Sequence, residues 1–180
     1  APEHMANFTS IDDVALEELA VQDYSDVVLY NADLVEDKYS AFIERSEEYA
    51  IRKKACFRIK NFKFTNRGVD FSVTRQGEGF IKTTHTSIFE TQLYSLLASI
   101  AVSDMLGLKK PDIIKGLNNI KPVSGRMQSL QGIKDSTIID DSYNASPEAV
   151  KSSLETLYSI DAKQKIALLG NMNELGEYSK

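Results

Sequence analysis

The segment Thr137-Ile-Ile-Asp-Asp-Ser-Tyr-Asn-Ala-Ser-Pro147 decides the fold class of this chain of 180 residues. Its apolar beginning is typical of a buried strand, and Ser146 followed by Pro147 is typical of a helix N-cap and the first helical position. A helical pattern continues to about residue 158, and a second apolar run covers residues 165–169. Strand, helix and strand in this order predict a βαβ unit, which is the building block of α/β proteins.

The first fifty residues predict two helices with a strand between them. Ser10 is a favourable N-cap for a helix over residues 11–19, and acidic residues fill its first turn. Residues 26–30 predict a short apolar strand. Apolar spacing over residues 39–50 then predicts a second helix, which would carry the acidic side chains on its solvent face.

Alternating apolar residues predict an antiparallel hairpin in the middle of the chain. Phe57 and Ile59 would share one face of its first strand, and Phe62 and Phe64 would share the other. The turn Asn66-Arg67-Gly68 separates this strand from a second one of the same period.

The rest of the chain predicts two more helices and a division into two pieces. A long apolar stripe predicts a helix over residues 87–106 that ends at Gly107, and Pro111 predicts the start of a shorter one. A linker with a proline follows. We therefore expect two domain portions, residues 1–122 and residues 123–180.

Composition excludes several classes of protein. The single Cys56 cannot form an intrachain disulfide, and no apolar run approaches the roughly 20 residues that span a bilayer, so we expect a cytoplasmic chain without membrane insertion. The net charge is −5, although residues 51–82 are basic. Lysine and arginine on the outer face of strands explain this stretch better than nucleic-acid binding, because no nucleic-acid motif accompanies it.

Two places carry residue types that are suited to chemistry. Asp140 and Asp141 follow a predicted strand and precede a capped helix, where open α/β sheets bind their ligands. They could serve a metal, a ribose hydroxyl or an amine, or they could simply close the strand and begin a turn. Arg126 offers a guanidinium suited to phosphate, although a surface arginine is the simpler interpretation of the residue alone.

Glu18 is the third candidate, because it falls on the apolar face of the first predicted helix. A carboxylate on the core side of a helix needs a partner, a proton or a metal. The simpler interpretation is a boundary residue whose side chain reaches water. His4 lies upstream, and a lone histidine is more often structural than a ligand.

Taken together, the longer motifs resemble a known family. Asp140-Asp-Ser-Tyr-Asn-Ala-Ser-Pro147, Val123-Ser-Gly-Arg126 and Ile166-Ala-Leu-Leu-Gly-Asn-Met-Asn-Glu-Leu-Gly176 resemble the Mur ligases of peptidoglycan synthesis, above all the branch that adds D-alanyl-D-alanine. Pro2-Glu-His-Met5 and Asn31-Ala-Asp33 agree with this. The resemblance implies the back half of a central ATPase domain, a mixed sheet with helices, followed by the first βαβ of a Rossmann-like C-terminal domain.

The resemblance also implies a reaction. It is an ATP-dependent, ADP-forming amide ligation that joins a D-alanyl dipeptide to a UDP-MurNAc-peptide through an acyl phosphate, with Mg²⁺ offsetting charge. By position, His4 matches a magnesium ligand, Arg126 an arginine near the ATP phosphates, and Asp141 an aspartate that holds the nucleotide. The segment that lines the ligation site comprises Ser142, Tyr143 and Asn144. Closure of the two domains would assemble this site.

The residues at two of the family's sites depart from its pattern. Glu18 stands where these enzymes usually carry a carbamylated lysine, and we hypothesise that its permanent carboxylate replaces that modification near magnesium. Thr91-Gln92 and Ser95 stand where the adenine-binding motif commonly has asparagines and a histidine. Gln92 keeps an amide that could pair with adenine, so nucleotide preference is left open.

The phosphate-binding loop GxxxxGK[ST] is absent from these 180 residues, since no glycine precedes a lysine. We expect an internal fragment that does not turn over ATP on its own and that could self-associate through exposed sheet edges. Two alternatives stay open. One is a related ligase that adds another amino acid or peptide, and the other is a non-catalytic binding module with the same fold.

Overall fold

The computed structural model describes residues 8–65, 68–86, 89–172 and 175. They divide into two compact units. One unit comprises Leu19–Ile120, and the other comprises the residues from Lys121 onward together with those up to Glu18. Each unit is described by itself below. The predicted division into domain portions 1–122 and 123–180 stays a prediction.

The larger unit is built on a mixed five-stranded sheet. Its strands lie in chain order, with parallel pairing from β1 to β3 and antiparallel pairing from β3 to β5. The strands are β1 (Val28–Asn31), β2 (Ser46–Ala50), β3 (Phe57–Thr65), β4 (Gly68–Arg75) and β5 (Glu78–His85). The helices of the chain up to residue 120 are α1 (Ile11–Leu19), α2 (Asp37–Ser40), α3 (Glu90–Met105) and α4 (Lys110–Asn119).

The core of this unit lies between the sheet and α3. Leu93, Leu97 and Ile100 on α3 are completely buried, and they belong to the same cluster as Phe57 and Val73 of the sheet. Burial of each such side chain contributes roughly 1.5–3 kcal/mol. The apolar stripe predicted for this helix is therefore confirmed, although Ser87, where we expected the helix to begin, lies outside the described residues.

Helix ends in the first 120 residues follow the sequence signals. Ser10 Oγ accepts a hydrogen bond from the backbone N–H of Asp13 at 3.1 Å, as an N-cap residue does. Gly107 has φ +79° and its N–H bonds the carbonyl of Asp104 at 2.8 Å, which closes the C-terminus of α3. Pro111 lies in the first turn of α4. These three predictions are confirmed.

The helix predicted over residues 39–50 is wrong. The structure has only the short α2 there, and Ser46–Ala50 forms β2, which pairs in parallel with β1 on one side and β3 on the other. A central strand gains ladder hydrogen bonds along both edges, and these outweigh the weak helical spacing of a short segment.

The hairpin is confirmed, but its predicted face assignment is wrong. The register shifts between Ile59 and Asn61, so that Phe62 pairs with Phe71 and Phe64 with Val69. A bulge of one residue moves every later side chain to the opposite face. Phe62 and Phe64 therefore share the face of Ile59, although both are more than a third exposed. The turn residues Asn66 and Arg67 lie outside the described residues.

Beyond residue 120, the second unit contains an antiparallel pair of strands and one long helix. The elements are β6 (Gln128–Gln131), β7 (Thr137–Asp140) and α5 (Pro147–Ser159). Ser146 caps α5, since its Oγ accepts the N–H of Ala149 at 3.3 Å. Strand β7 and the capped helix are as predicted, whereas β6 was not expected.

The strand predicted over residues 165–169 does not form. These residues carry no regular secondary structure, and Ile166 and Leu168 are 68% and 95% exposed. A strand exists only through hydrogen bonds to a neighbour, and the two-stranded sheet pairs only β6 with β7. The α/β fold class is confirmed, but the described residues do not complete the βαβ unit.

The edges of the five-stranded sheet are β1 and β5. Self-association through such an edge stays a prediction. None of the described helices is long and apolar enough to cross a membrane.

Asp33 ties three elements of the larger unit together. Its carboxylate follows β1 and accepts the backbone N–H groups of Ile51, Arg52 and Lys53 at 2.7–2.9 Å. The hydroxyl of Tyr94 on α3 donates to the same carboxylate at 3.1 Å. Burial alone would raise the pKa of Asp33, but these backbone donors and Tyr94 outweigh it and lower the pKa below the ordinary value.

We expect Asp33→Asn to lower the free energy of unfolding by about 2 kcal/mol at pH 7, because an amide cannot accept all four hydrogen bonds. Because the pKa of Asp33 is lowered in the folded state, its carboxylate stabilises the fold at pH values above the ordinary carboxyl pKa. This contribution is lost as the pH falls through the pKa of the folded state. The difference in the free energy of unfolding between wild type and variant should therefore decrease below about pH 4. Urea unfolding at several pH values measures this.

Asp37→Asn is the matched control for this prediction. The carboxylate of Asp37 is almost fully exposed and pairs with the Lys53 ammonium at 3.1 Å. Such a surface pair contributes between about 0 and 1 kcal/mol. Equal effects of the two variants would contradict the role given to Asp33.

Candidate active site

The β6–β7 pair brings together two motifs that are separated in the sequence. Gln128 pairs with Asp140, so the residues before β6 run beside the residues after β7. The N–H of Tyr143 bonds the carbonyl of Gly125 at 3.1 Å and continues this pairing beyond the strands. Arg126 and Asp141 therefore lie in one place because antiparallel pairing extends past the ends of both strands.

Arg126 sits in an unusual backbone segment. Gly125 and Met127, the residues on either side of it, have φ values of +71° and +47°. The left-handed region suits glycine but is costly for methionine, by roughly 1–3 kcal/mol. Surrounding contacts must therefore hold Met127 in this conformation.

Asp141 provides one of these contacts. Its Oδ1 accepts the backbone N–H of Met127 at 3.0 Å, and its Oδ2 accepts the hydroxyl of Ser153 on α5 at 2.5 Å. Both carboxylate oxygens are thus engaged within the chain. In this structure Asp141 holds the segment that presents Arg126.

The Arg126 side chain is exposed and stacks on an aromatic ring. Its guanidinium carbon lies 4.0 Å from the centre of the Tyr143 ring. Among the described residues, no carboxylate forms an ion pair with it. An arginine held by ring stacking keeps its hydrogen-bond donors available, so this group fits a phosphate or a carboxylate of a ligand.

The remaining residues of the segment face solvent. Ser142, Tyr143 and Asn144 are all exposed. The N–H of Ser142 bonds Asp140 Oδ1 at 3.2 Å, and hydrogen bonds from Ser142 lower the pKa of Asp140. Asp140 therefore closes the strand and starts a turn, as the simpler interpretation of this pair proposed.

Glu18 is exposed, so the expectation of a carboxylate on a buried face is wrong. The only buried residue of α1 is Val14, because this short helix presents a narrow apolar face. His4 lies outside the described residues. In the described part of the chain, no three His, Cys, Asp or Glu side chains are grouped to hold a metal.

The donor chemistry of Glu18 nevertheless fits magnesium. This cation commonly takes one or two carboxylates together with substrate phosphates and water, rather than a cage made only of protein. An accessible carboxylate oxygen is a donor of the required kind.

Gln92 belongs to the other unit, in the first turn of α3, where it is partly buried. Its neighbour Thr91 has a buried hydroxyl without a hydrogen-bond partner among the described residues. The preceding residue, Glu90, accepts Arg52 at 2.7 Å. The start of the helix that carries Gln92 is thus tied to the loop that Asp33 organises.

Sequence reasoning missed Ser153 and Met127. Ser153 lies in the middle of an amphipathic helix, where its spacing from Ser146 gives no signal of a contact with Asp141. Met127 precedes a strand that was not predicted. Recognition of β6 would have placed Met127 opposite Asp141 and exposed the contact.

Comparisons with known proteins point to one family. Residues 125–180 match the family described as "Mur ligase, glutamate ligase domain". Over 124 residues, the chain is 31% identical to UDP-N-acetylmuramoyl-tripeptide--D-alanyl-D-alanine ligase of Haemophilus influenzae. The aligned region covers 68% of this chain and 26% of that protein. The chain is 32% identical over 123 residues to UDP-N-acetylmuramoyl-L-alanyl-D-glutamate--2,6-diaminopimelate ligase of Alkaliphilus metalliredigens, covering 68% and 24%.

The fold is similar to that of solved Mur ligases. MurF ligase from Thermotoga maritima, in complex with ADP, superposes with a TM-score of 0.82 and 23% identity over 98% of this chain and 41% of that one. MurF from Acinetobacter baumannii gives the same TM-score at 18% identity, over 99% and 40%. The chain spans about a quarter of the length of the curated relatives quoted above.

We expect Gly125→Ala to disrupt the segment around Arg126. A Cβ there would lie 3.1 Å from the Tyr143 nitrogen and 3.3 Å from its Cβ, and φ would stay at +71°. Hydrogen exchange of the Tyr143 N–H, which bonds the Gly125 carbonyl, should accelerate by about tenfold or more. A tenfold change corresponds to a loss of about 1.4 kcal/mol in the local stability of this segment.

Gly107→Ala is the control for this measurement. Gly107 also has a positive φ, of +79°, but a Cβ there would meet no atom within 4 Å. This variant should leave the exchange of Tyr143 unchanged. An unaltered Tyr143 exchange rate in Gly125→Ala would contradict the tight packing inferred here.

Proposed function

Since the chain belongs to the Mur ligase family, we propose that it is part of an ATP-dependent ligase that adds D-alanyl-D-alanine to a UDP-MurNAc-peptide in the cytoplasm. The observation that carries the proposal is the Arg126 guanidinium, which stacks on Tyr143 and has no carboxylate partner among the described residues. Similarity at 31% identity to the D-alanyl-D-alanine ligase of Haemophilus influenzae supports the D-alanyl-D-alanine branch. The whole protein would contain the phosphate-binding loop, which these 180 residues lack.

Each residue of the candidate site has a proposed part in this reaction. ATP would supply the phosphoryl group that activates the substrate carboxylate as an acyl phosphate; the dipeptide amine would then form the amide bond, releasing phosphate and a proton. Arg126 would contact phosphate oxygens and offset their charge. Asp141 would orient Arg126 and hold the nucleotide, and Ser142, Tyr143 and Asn144 would line the ligation site.

The predicted domain portion 1–122 would contribute the base and metal contacts. The side-chain amide of Gln92 can donate and accept, as pairing with adenine requires. Glu18 and His4 would hold Mg²⁺, and Glu18 would take the place of the carbamylated lysine of the family. Domain closure would bring these groups to Arg126.

A related ligase with another amine substrate is the second candidate. The similarity to the diaminopimelate ligase of Alkaliphilus metalliredigens is as high as that to the D-alanyl-D-alanine ligase of Haemophilus influenzae. This similarity favours a ligase with another amine substrate as the second candidate. A non-catalytic binding module is the third. The altered adenine motif at Thr91-Gln92 and Ser95 favours the module, whereas the joint presence of His4, Arg126 and Asp141 at family positions argues against it.

The full-length enzyme should release phosphate from ATP only when a UDP-MurNAc-peptide and D-alanyl-D-alanine are both supplied. Product mass identifies the amine that is added, with meso-diaminopimelate and single amino acids as competing substrates. Ligation of diaminopimelate in preference to the dipeptide would transfer the proposal to the second candidate.

Arg126→Ala should lower kcat/KM by about 10²- to 10³-fold, the range for the loss of one preorganised charge-stabilising group.

Glu18→Gln should raise the magnesium concentration for half-maximal activity by about tenfold, because an amide is a much weaker ligand for a hard cation than a carboxylate. Glu17→Gln is the matched control, since Glu17 is an exposed neighbour on the same helix. The measurement is the initial rate of phosphate release as a function of Mg²⁺. An unchanged magnesium dependence in Glu18→Gln would refute the metal role.

A further inference from the structure

Ser153 makes three contacts, two of which connect α5 to the candidate site. Its Oγ lies 2.5 Å from Asp141 Oδ2, 3.0 Å from the carbonyl of Ala149 and 3.7 Å from the sulfur of Met127. A hydroxyl has one proton to donate, and a carboxylate is the strongest acceptor of the three. The proton of Ser153 is therefore donated to Asp141.

This hydrogen bond fixes the orientation of the Asp141 carboxylate. The second oxygen, Oδ1, accepts the N–H of Met127 at 3.0 Å. With one oxygen held by α5 and the other by the backbone before β6, rotation of the carboxylate would break one of the two bonds. Ser153 thus determines which way Asp141 points.

The backbone at Met127 depends on that orientation. Its φ of +47° is disfavoured for a residue with a side chain, and Asp141 accepts the N–H of this strained residue. Ser153 also contacts the Met127 sulfur. The conformation next to Arg126 is therefore held from both the main chain and the side chain of Met127.

We propose that Ser153 is a positioning residue, which acts through Asp141 and Met127 to hold the Arg126 guanidinium in its phosphate-binding position. The inference rests on the proposed function, in which Arg126 contacts ATP phosphates. Its expected consequence is weaker nucleotide binding without loss of the fold.

The first test reads the hydrogen bond directly, without any activity. Selective ¹⁵N labelling of methionine gives four backbone signals from this chain, one of them from Met127. Ser153→Ala should shift the Met127 amide signal and speed its hydrogen exchange by about tenfold, while the other three methionine signals stay in place. Ser153→Thr, which keeps the hydroxyl, should restore the wild-type signal.

Ser152→Ala is the matched control. Ser152 is the adjacent residue on α5 with similar partial burial, and among the described residues its hydroxyl makes no hydrogen bond. This variant should change neither the signal nor the exchange rate of Met127. It separates the loss of the Asp141 contact from a general effect of alanine on the helix.

The second test uses the full-length ligase. Ser153→Ala should raise KM for ATP by roughly three- to tenfold with a smaller change in kcat, and Ser153→Thr should return it to the wild-type value. The KM for the dipeptide should stay unchanged, because the contact acts only through Arg126.

The outcomes distinguish the two levels of the argument. An unshifted Met127 signal in Ser153→Ala overturns the positioning role, as does an unchanged KM for ATP in an enzyme that Arg126→Ala inactivates. A wild-type enzyme without ligase activity overturns the proposed function, and with it the catalytic purpose of the contact. In that case a shifted Met127 signal would show that Ser153 holds the segment for a structural reason alone.

Discussion

The antiparallel pairing of β6 with β7 is the constraint on which the candidate site depends. Its register places Gln128 opposite Asp140, and the pairing continues as far as the Tyr143–Gly125 hydrogen bond. Neither strand has more than four residues. So short a ladder is marginal by itself, and the hydrogen bonds of Asp141 beyond its end extend the connection between the two segments. The same contacts that stabilise the hairpin also determine where Arg126 lies.

The larger unit uses a carboxylate for a comparable purpose. Asp33 accepts three consecutive backbone N–H groups that follow β2, together with the Tyr94 hydroxyl. Burial raises the pKa of Tyr94 to about 12, and the negative charge of Asp33 adds to this effect, so the phenol stays a donor at neutral pH. In both units, an aspartate at the end of a strand satisfies backbone donors that the sheet leaves unpaired.

The sequence alone predicted the features that depend on neighbouring residues along the chain. The Ser10 and Ser146 caps and the Gly107 helix end are determined within one helical turn, so local chemistry is sufficient. The helix predicted over residues 39–50 failed because β2 is stabilised by two partner strands that no local pattern reveals. The bulge after Ile59 is likewise a property of strand pairing, and it reversed the faces of Phe62 and Phe64.

The candidate site shows the same division between local and long-range information. Its motifs identified Arg126 and Asp141, but their spacing does not reveal that Asp141 bonds the backbone next to Arg126 rather than standing free. An aspartate whose two oxygens are both engaged has little freedom to turn toward a ligand, so its contribution to nucleotide binding would pass largely through the arginine it positions. The exposed group that remains for direct contact is the guanidinium on the Tyr143 ring, which is held by stacking and forms no ion pair with an acid in the described part of the chain. In such a site the carboxylate holds the backbone segment in place and the arginine provides the positive charge. Substitution of either residue would therefore weaken phosphate binding for a different physical reason.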